Sequence, residues 1–595
     1  MCGICGELRF DGLSADPVTL ERMLARLVHR GPDNEGKYLN RQLALGHRRL
    51  SIIDLSAASN QPWIDHEQGL ALVFNGTIYN YKELRSELEA AGQKFVSQGD
   101  TEVILRAYAE WGDDFVPRLH GMFAFAIWDM RRNRLFMARD RFGIKPFYYS
   151  QTSDFFRFAS TSQALLAAGD IDRGIDATAL HHHFTLHGVV PAPLTLIKGV
   201  RKLPPAHVMI VEQNGKHQVR PYWQLDSTTP KNELSENEWV DAVHESLERA
   251  VKRRRQIADV PVGVLLSGGL DSSLLVALLA EHGGADNLLT FSVGFEDDVR
   301  ERGNEFEFSD QVSERYGTIH HKLRIPNHEV LEHLPDAIDA MNEPMPGQDA
   351  VAFYLLSQRV SKYVKVVQSG QGADEVFGGY FWYPQMDAAS GSDLERFNQF
   401  YFDRDHDEYL QMVQSGYQGS DHTSALVEER LHAIKADSYL NRVLNFDVTT
   451  LIVDDPVKRV DNMTMAWGLE ARVPFLDHEL VELVAGMPIN YKIGSDGKHL
   501  LKRIARGLVP DDIIDRPKAY FPVPALKFVR GRFLEFMRDI LNSKACRERG
   551  IYQRDYVEKL LNDPEQNLTR IQGNKLWHLT VLEYWLQRNL DAITP

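Results

Sequence analysis

Cys2 is the first residue with reactive chemistry, and that chemistry depends on the chain's own terminus. Removal of the initiator methionine, which a small second residue permits, leaves Cys2 with a free α-amino group beside its thiol. An α-amine titrates near ~7.7–8.0 and a thiol near ~8.5, so the amine can take the thiol proton at neutral pH, directly or through a water. Cys2 is therefore a candidate N-terminal nucleophile that attacks an amide carbonyl and releases ammonia. Cys2 and Cys5 also have the Cys-x-x-Cys spacing of a redox pair. Such a pair normally follows a strand and opens a helix, whereas residues 7–10 alternate like a strand. One such pair alone is a poor zinc site.

Hydrolysis of free glutamine needs a group for each end of the molecule. Its α-carboxylate suits a guanidinium, which pairs bidentately, and its ammonium suits a carboxylate. The oxyanion of the tetrahedral intermediate suits an amide side chain and a backbone N–H. Arg49, Asp100, Asn75 and Gly76 are of these types. Asp100 reads equally as the N-cap of the helix that follows it.

A second constellation begins at Val262. Residues 262–266 read as a buried strand, Ser267-Gly268-Gly269-Leu270-Asp271-Ser272-Ser273 follows, and residues 274–281 read as a helix. A strand, a glycine turn and a helix N-terminus make an anion cradle. The Gly-Lys-Ser/Thr ending of a γ-phosphate loop is missing. The string resembles the pyrophosphate loop of enzymes that split ATP between its α and β phosphates. Ser369-Gly370-Gln371-Gly372-Ala373-Asp374 follows another strand at 364–367. Asp271 and Asp374 could share Mg²⁺ on the pyrophosphate, or each could cap a helix.

The elements that must position these residues fall into two sets. Up to residue 205 the chain reads as short strands with helices at 20–29 and 81–91 and a strand at 121–128. A strand at 70–74 runs into Asn75-Gly76, a strong turn signal. Residues 206–235, with Asn214-Gly215 between strand-like runs, read as a linker and hairpin. From 236 to 595, alternating strands and helices suggest a doubly wound parallel sheet with ligands at the strand carboxyl ends. His181, His182, His183 and His187 invite a metal reading, but only His183 and His187 could share a helical face, and a pair is not a site.

A length of 595 residues calls for at least two domains. The net charge of −16 speaks against a nucleic-acid partner, and the basic run 252–255 reads as a solvated helix end. Three cysteines fit a reducing compartment. With no apolar signal core and no run of 18 apolar residues, the expectation is a cytoplasmic enzyme without membrane partners. The oligomeric state, a homodimer included, is left open.

Met1-Cys2-Gly3-Ile4-Cys5-Gly6, Arg30-Gly31-Pro32-Asp33, Arg49-Leu50-Ser51-Ile52-Ile53-Asp54, Asn75-Gly76-Thr77-Ile78-Tyr79-Asn80 and Asp140-Arg141-Phe142-Gly143-Ile144-Lys145-Pro146 resemble class II glutamine amidotransferases, in particular glutamine-hydrolysing asparagine synthetases. Residues 461–477 and Gly497-Lys498-His499 resemble the synthetase domain of the same family. The resemblance implies an α+β N-terminal-nucleophile αββα sandwich at 1–205, then an α/β ATP-pyrophosphatase-type synthetase domain at 236–595. It implies Cys2 as nucleophile and Asn75 with Gly76 as oxyanion hole. Glutamine would be held by Arg49, Leu50, Ser51, Ile52, Ile53, Thr77 and Asp100. ATP would be held by Leu266, Ser267, Gly268, Gly269, Asp271, Ser272, Val293, Ser369, Gly370 and Gln371, with Mg²⁺ on Asp271 and Asp374 and Lys498 near the phosphates. The expected reaction passes ammonia through the interior to an acyl-adenylate, giving a carboxamide, AMP and pyrophosphate.

Gln371 departs from the family, whose members usually carry glutamate there. With the long stretch 381–460 and the string 515–525, it is closer to a bacterial sister family that amidates N-acetylglutaminylglutamine, a dipeptide osmolyte. Aspartate as acceptor, or a stand-alone glutaminase, are the alternatives.

Overall fold

Short runs alternating between apolar and polar residues set the first part of the chain as β-structure. The computed structural model describes residues 2–230, 234–281, 287–297, 303–516 and 523–591. Twelve strands come first: β1 (Gly3–Arg9), β2 (Asn34–Asn40), β3 (Leu43–Arg49), β4 (Trp63–Asp65), β5 (Leu70–Ile78), β6 (Gly121–Asp129), β7 (Arg134–Arg139), β8 (Tyr148–Gln151), β9 (Phe155–Ala159), β10 (Arg201–Lys202), β11 (His207–Glu212) and β12 (His217–Pro221). They form two antiparallel sheets of six, in the orders β10-β8-β9-β1-β3-β2 and β12-β11-β7-β6-β5-β4. Every second side chain of each points inward. Ile4, Leu8 and Leu45 thus meet Val73, Ala124, Ala126 and Met137 in one buried layer. Helices Pro17–Ala25 and Ser162–Ala168 cover the outer face of the first sheet, and Tyr81–Ala90 and Asp100–Trp111 that of the second. This is the expected αββα sandwich.

Two local expectations fail here. Asn75 and Gly76 lie inside β5, paired with Ala124 and Phe123 of β6, and make no turn. Pairing along the whole strand outweighs the local signal. Gly76 serves close strand approach instead, since a Cβ there would sit 2.2 Å from the Met122 carbonyl oxygen. Asp100 is not a cap either, because Gly99 holds that position.

The second part builds a parallel sheet from β13 (Val262–Leu265), β14 (Leu289–Phe295), β15 (Ile319–Ile325), β16 (Val366–Gln368) and β17 (Glu470–Arg472), in the order β15-β14-β13-β16-β17. The chain runs outward from β13 to one edge, then returns to add β16 and β17 on the other side. The order therefore reverses between β13 and β16, and a crevice opens at their carboxyl ends. Both glycine loops fall there. The basic run ends helix Glu236–Gln256, but Arg254 is buried and bound to Asp477 at 2.7 Å, so it is not a solvated end. Residues 393–446 form four helices, of which Asp393–Tyr401, His422–Ala433 and Tyr439–Phe446 pack their apolar faces with Leu186 and Val189 from the first part.

Charged side chains tie the two parts together. Lys202 donates to the Val190 carbonyl at 2.6 Å and to Glu343 at 2.9 Å, and it also pairs with Asp454. Among the described residues, no helix is long and apolar enough to cross a membrane.

Candidate active sites

Cys2 leads into β1 and is buried at the join between the sandwich and the parallel sheet. Cys5 lies three residues on, so its side chain points to the opposite face of the strand. That excludes a Cys2–Cys5 redox pair in this geometry. The Cys2 backbone N–H donates to Asn75 Oδ1 at 3.0 Å. The Asn75 side-chain Nδ2 is buried and has no partner among the described residues. Such a donor is costly to bury unless something occupies it, and it is the group an oxyanion would take. Burial pushes the Cys2 thiol up, opposed by the Leu50 backbone N–H and the Arg49 guanidinium.

Cys2, Arg49, Leu50, Ile52, Ile53, Gly76, Thr77 and Asp100 line one cavity. Ser51 and Asn75 do not; the Ser51 N–H donates to Asp33 at 2.7 Å. Arg49 anchors the loop beyond β3, donating from Nη1 to the Ser56 carbonyl (2.8 Å) and Asn60 Oδ1 (2.7 Å), and from Nη2 to the Ile53 (3.4 Å) and Asp54 carbonyls. Asp100 accepts the Ile78 N–H at 3.0 Å, and burial raises its pKa to about 6.

Glu470 of β17 also lines this cavity, 3.4 Å from the Thr77 hydroxyl, although it belongs to the other sheet. Arg472 holds it at 2.6 Å. Sequence reasoning missed Glu470 as a site residue because nothing local links positions 77 and 470.

The second cavity measures about 610 Å³ and lies over the carboxyl ends of β13, β14 and β16. Leu266, Ser267, Gly269, Asp271, Ser272, Val293, Ser369, Gly370, Gln371, Asp374 and Lys498 all line it. Gly268 does not, but its carbonyl accepts from Arg516 at 3.0 Å. Ser267 and Ser272 hydroxyls meet at 3.0 Å and shape the loop. Gly269 and Gly372 occupy the N-cap positions of the following helices with no side-chain cap. The capping alternative for Asp271 and Asp374 is thereby overturned. The first amides of helix Leu270–Leu279 are left for an anion.

Asp271 and Asp374 both reach Lys498 Nζ, at 2.6 and 2.7 Å. Burial alone would lower the Lys498 pKa, but the two carboxylates outweigh it and hold the ammonium above its ordinary value. Lys498 sits at a left-handed φ of 53°, a strained conformation found at functional positions. Gly379 makes the meeting possible: a Cβ there would lie 2.2 Å from Asp374 Oδ1 and 2.3 Å from Lys498 Cε.

The far part of this cavity was not legible beforehand. His187 lies past the end of helix Ala177–Thr185, so it does not share a helical face with His183. Its Nδ1 meets the buried Asp403 at 2.8 Å and its side chain lines the cavity. Arg459 lies nearby, bound to Asp349 at 2.9 Å and to Asp455. Glu375 accepts from Tyr380 at 2.6 Å and Asp447 from Tyr383. Glu305 is held by Arg516 at 2.8 Å, Asp496 by Lys502, and Asp515 by Arg506 at 2.8 Å. Every carboxylate lining this cavity among the described residues therefore already has a partner. Residues 517–522 of the acceptor-related string 515–525 lie outside the described residues.

Two loops at a switch point, with a separate cysteine cavity, match what family comparison finds. The asparagine synthase family profile matches residues 242–587, and the glutamine amidotransferase domain profile matches residues 1–223. This chain belongs to the asparagine synthase family. It is 34% identical to asparagine synthetase [glutamine-hydrolyzing] 3 of Bacillus subtilis (strain 168) over 88% of this chain and 87% of that protein. It is 31% identical to asparagine synthetase [glutamine-hydrolyzing] 1 of the same organism over 99% of this chain and 97% of that one. A relative named amidase chry2, from Gibberella zeae, is 28% identical over 88% of this chain and 89% of its own length. The protein is a carbon–nitrogen ligase, a glutamine-dependent amidotransferase of the asparagine synthase type. Its family uses ATP, typically with Mg²⁺. Two converging carboxylates fit that ion, which takes one or two carboxylates with phosphate oxygens.

Proposed function

We propose that this enzyme amidates N-acetylglutaminylglutamine, using nitrogen that the sandwich, whose second sheet the β11–β12 hairpin completes, releases from glutamine and an acyl-adenylate that residues 236–595 make. Among the described residues, lysine or arginine holds seven of the nine carboxylates lining the large cavity, and this supports the acceptor reading. Aspartate brings an α-ammonium that needs a carboxylate without a cation beside it, and only Glu375 and Asp447, which accept tyrosine hydroxyls, would offer one. An N-acetylated peptide has no ammonium, and the neutral Gln371 amide can both donate to and accept from its amides.

In the glutaminase half, Cys2 attacks the glutamine side-chain carbonyl and forms a thioester as ammonia leaves. Asn75 Nδ2 and the Gly76 N–H take the oxyanion. Arg49 and Asp100 hold the α-carboxylate and α-ammonium, with residues 50–53 and Thr77 around them. In the synthetase half, the acceptor carboxylate oxygen attacks the ATP α-phosphorus and pyrophosphate leaves. Lys498 steadies the phosphates, and Mg²⁺ bound by Asp271 and Asp374 would neutralise pyrophosphate charge. Ammonia, passing between the two parts, then displaces AMP from the acyl carbon.

The names of the Bacillus relatives favour a second reading, with aspartate as acceptor. AMP and pyrophosphate release, measured with glutamine and ATP–Mg²⁺, separates the two. Release with the dipeptide and not with aspartate supports the proposal; release with aspartate alone makes the enzyme an asparagine synthetase. Steady glutamate production with neither acceptor driving AMP release would leave a glutaminase.

A further inference from the structure

Away from both cavities, His181, His406 and Asp421 come together from three separate elements. His181 lies on helix Ala177–Thr185, His406 opens helix His406–Met412, and Asp421 caps helix His422–Ala433. His181 Nε2 is 3.1 Å from His406 Nδ1 and 3.9 Å from an Asp421 carboxylate oxygen. One ligand atom from each residue lies within 4.8 Å of the other two. The sequence argument against a metal weighed only the histidines at 181–187. The partners come from more than two hundred positions away.

The surroundings prepare His181 as a ligand. The Thr423 hydroxyl lies 2.7 Å from His181 Nδ1 and 3.0 Å from His182 Nδ1. A hydroxyl has one proton to give. If His181 donates Nδ1–H to Thr423, and Thr423 donates to His182, then His181 Nε2 presents a lone pair to His406 and Asp421. Histidine ligands are commonly fixed by a bond from the other ring nitrogen in this way. His181 is buried, whereas His406 and Asp421 are half-buried, so the cluster opens to solvent on their side.

We propose that His181, His406 and Asp421 form a site for a divalent transition cation of the zinc type, with water in the fourth position. Zinc–nitrogen bonds of ~2.0–2.1 Å place two imidazole nitrogens about 3.3 Å apart in a tetrahedron, close to the separation here. Two imidazoles select against Mg²⁺ and Ca²⁺, which prefer oxygen. The bound ion fastens the helical 393–446 segment to the last helix before the hairpin, so it acts as a clasp.

The test uses the full chain, stripped of metal and dialysed against micromolar Zn²⁺, with bound zinc measured by mass spectrometry and thermal midpoints recorded with and without the ion. The expected result is one zinc per chain and a midpoint that rises with Zn²⁺. Both effects should vanish in His406→Ala, whose side chain is half-exposed. His406→Gln keeps the size and a contact to His181, and serves if the alanine variant melts early. Asp421→Asn retains the helix cap but loses the anionic ligand, so binding should weaken. Thr423→Val should weaken it on the order of tenfold. A wild-type chain that takes up no zinc, or His406 variants that keep both the stoichiometry and the shift, would overturn the proposal. Cys2→Ser, run in parallel, identifies zinc held by the thiol; loss of the single zinc in that variant would also overturn it.

Discussion

Arg30 grips Asp461 with two N–H donors, at 2.8 and 3.3 Å, while its Nε–H donates to the Cys2 carbonyl at 3.2 Å. One guanidinium therefore touches both the expected nucleophile and the synthetase half. Lys145 reaches the same carboxylate at 3.0 Å. Burial raises the Asp461 pKa, but Arg30 and Lys145 overcome this and hold it below the usual carboxylate range.

Asp461→Asn should consequently do more than remove one contact. It leaves two buried cations facing a neutral amide, a loss of about 3–5 kcal/mol by analogy with other broken buried pairs. The expected outcome is a clearly lower thermal midpoint and a glutamine-driven rate that falls further than the rate with added ammonia. Equal losses in both rates would show that the cluster supports only the fold.

Asn75→Ala removes the unpartnered Nδ2 from beside Cys2. Loss of one oxyanion donor costs about 10²–10³ in kcat. Glutamine hydrolysis should fall by that factor, while AMP release driven by added ammonia stays within about twofold, since the two sites lie in separate cavities. Cys2→Ala should abolish the first and spare the second. Steady-state assays with each nitrogen source check both.

Asp100 gives the glutaminase a pH signature. Its folded pKa of about 6 lies above the ordinary carboxylate range because burial disfavours the anion. The native state thus binds a proton that the unfolded chain releases, and the associated stability is lost as pH rises from about 4 to about 6. The ion that would hold the glutamine ammonium forms above that window. The kcat/KM for glutamine should show an acid limb near pH 6. Asp100→Asn should abolish that limb, lower kcat/KM throughout, and leave stability at pH 7 undiminished. Persistence of the limb in the variant would assign it to another group.

Much of this was legible because some signals are local. The Ser267–Ser273 string carries its own strand, turn and helix start, and it lies where such a unit must lie, at a carboxyl edge. Asn75-Gly76 was misread for a related reason: turn preference is local, but β5 is fixed by β6 and by the Met122 carbonyl, which no local signal records. Three-residue β17 was invisible, too short for any periodicity, and with it Glu470. His187 and Asp403 meet at the far part of the large cavity only because the helical segment 393–446 folds back over residues 186–189, a long-range event.

Gly379→Ala tests the phosphate end without removing a charged group. Its Cβ would collide with Asp374 Oδ1 and Lys498 Cε, so the two must separate. AMP formation should fall at least tenfold while glutamine hydrolysis persists; unchanged AMP formation would mean that the Asp374–Lys498 contact is dispensable. Pyrophosphate release, followed alongside glutamate, reads both.

The proposed function makes Gln371 the residue that distinguishes the two acceptors. Gln371→Glu restores a carboxylate in a cavity where lysine or arginine holds most of the other acids, so it adds one free to hold an ammonium. The same change places a negative charge beside the acceptor's own carboxylate and removes an N–H donor from the loop. The KM for N-acetylglutaminylglutamine should rise at least tenfold, on the order of the loss of one hydrogen bond to a charged group. Aspartate-dependent AMP release should increase from its wild-type level. The paired comparison matters more than either number. If both acceptors weaken together, Gln371 merely supports the loop; if the preference shifts towards aspartate, its side chain is what distinguishes an acceptor with an ammonium from one without.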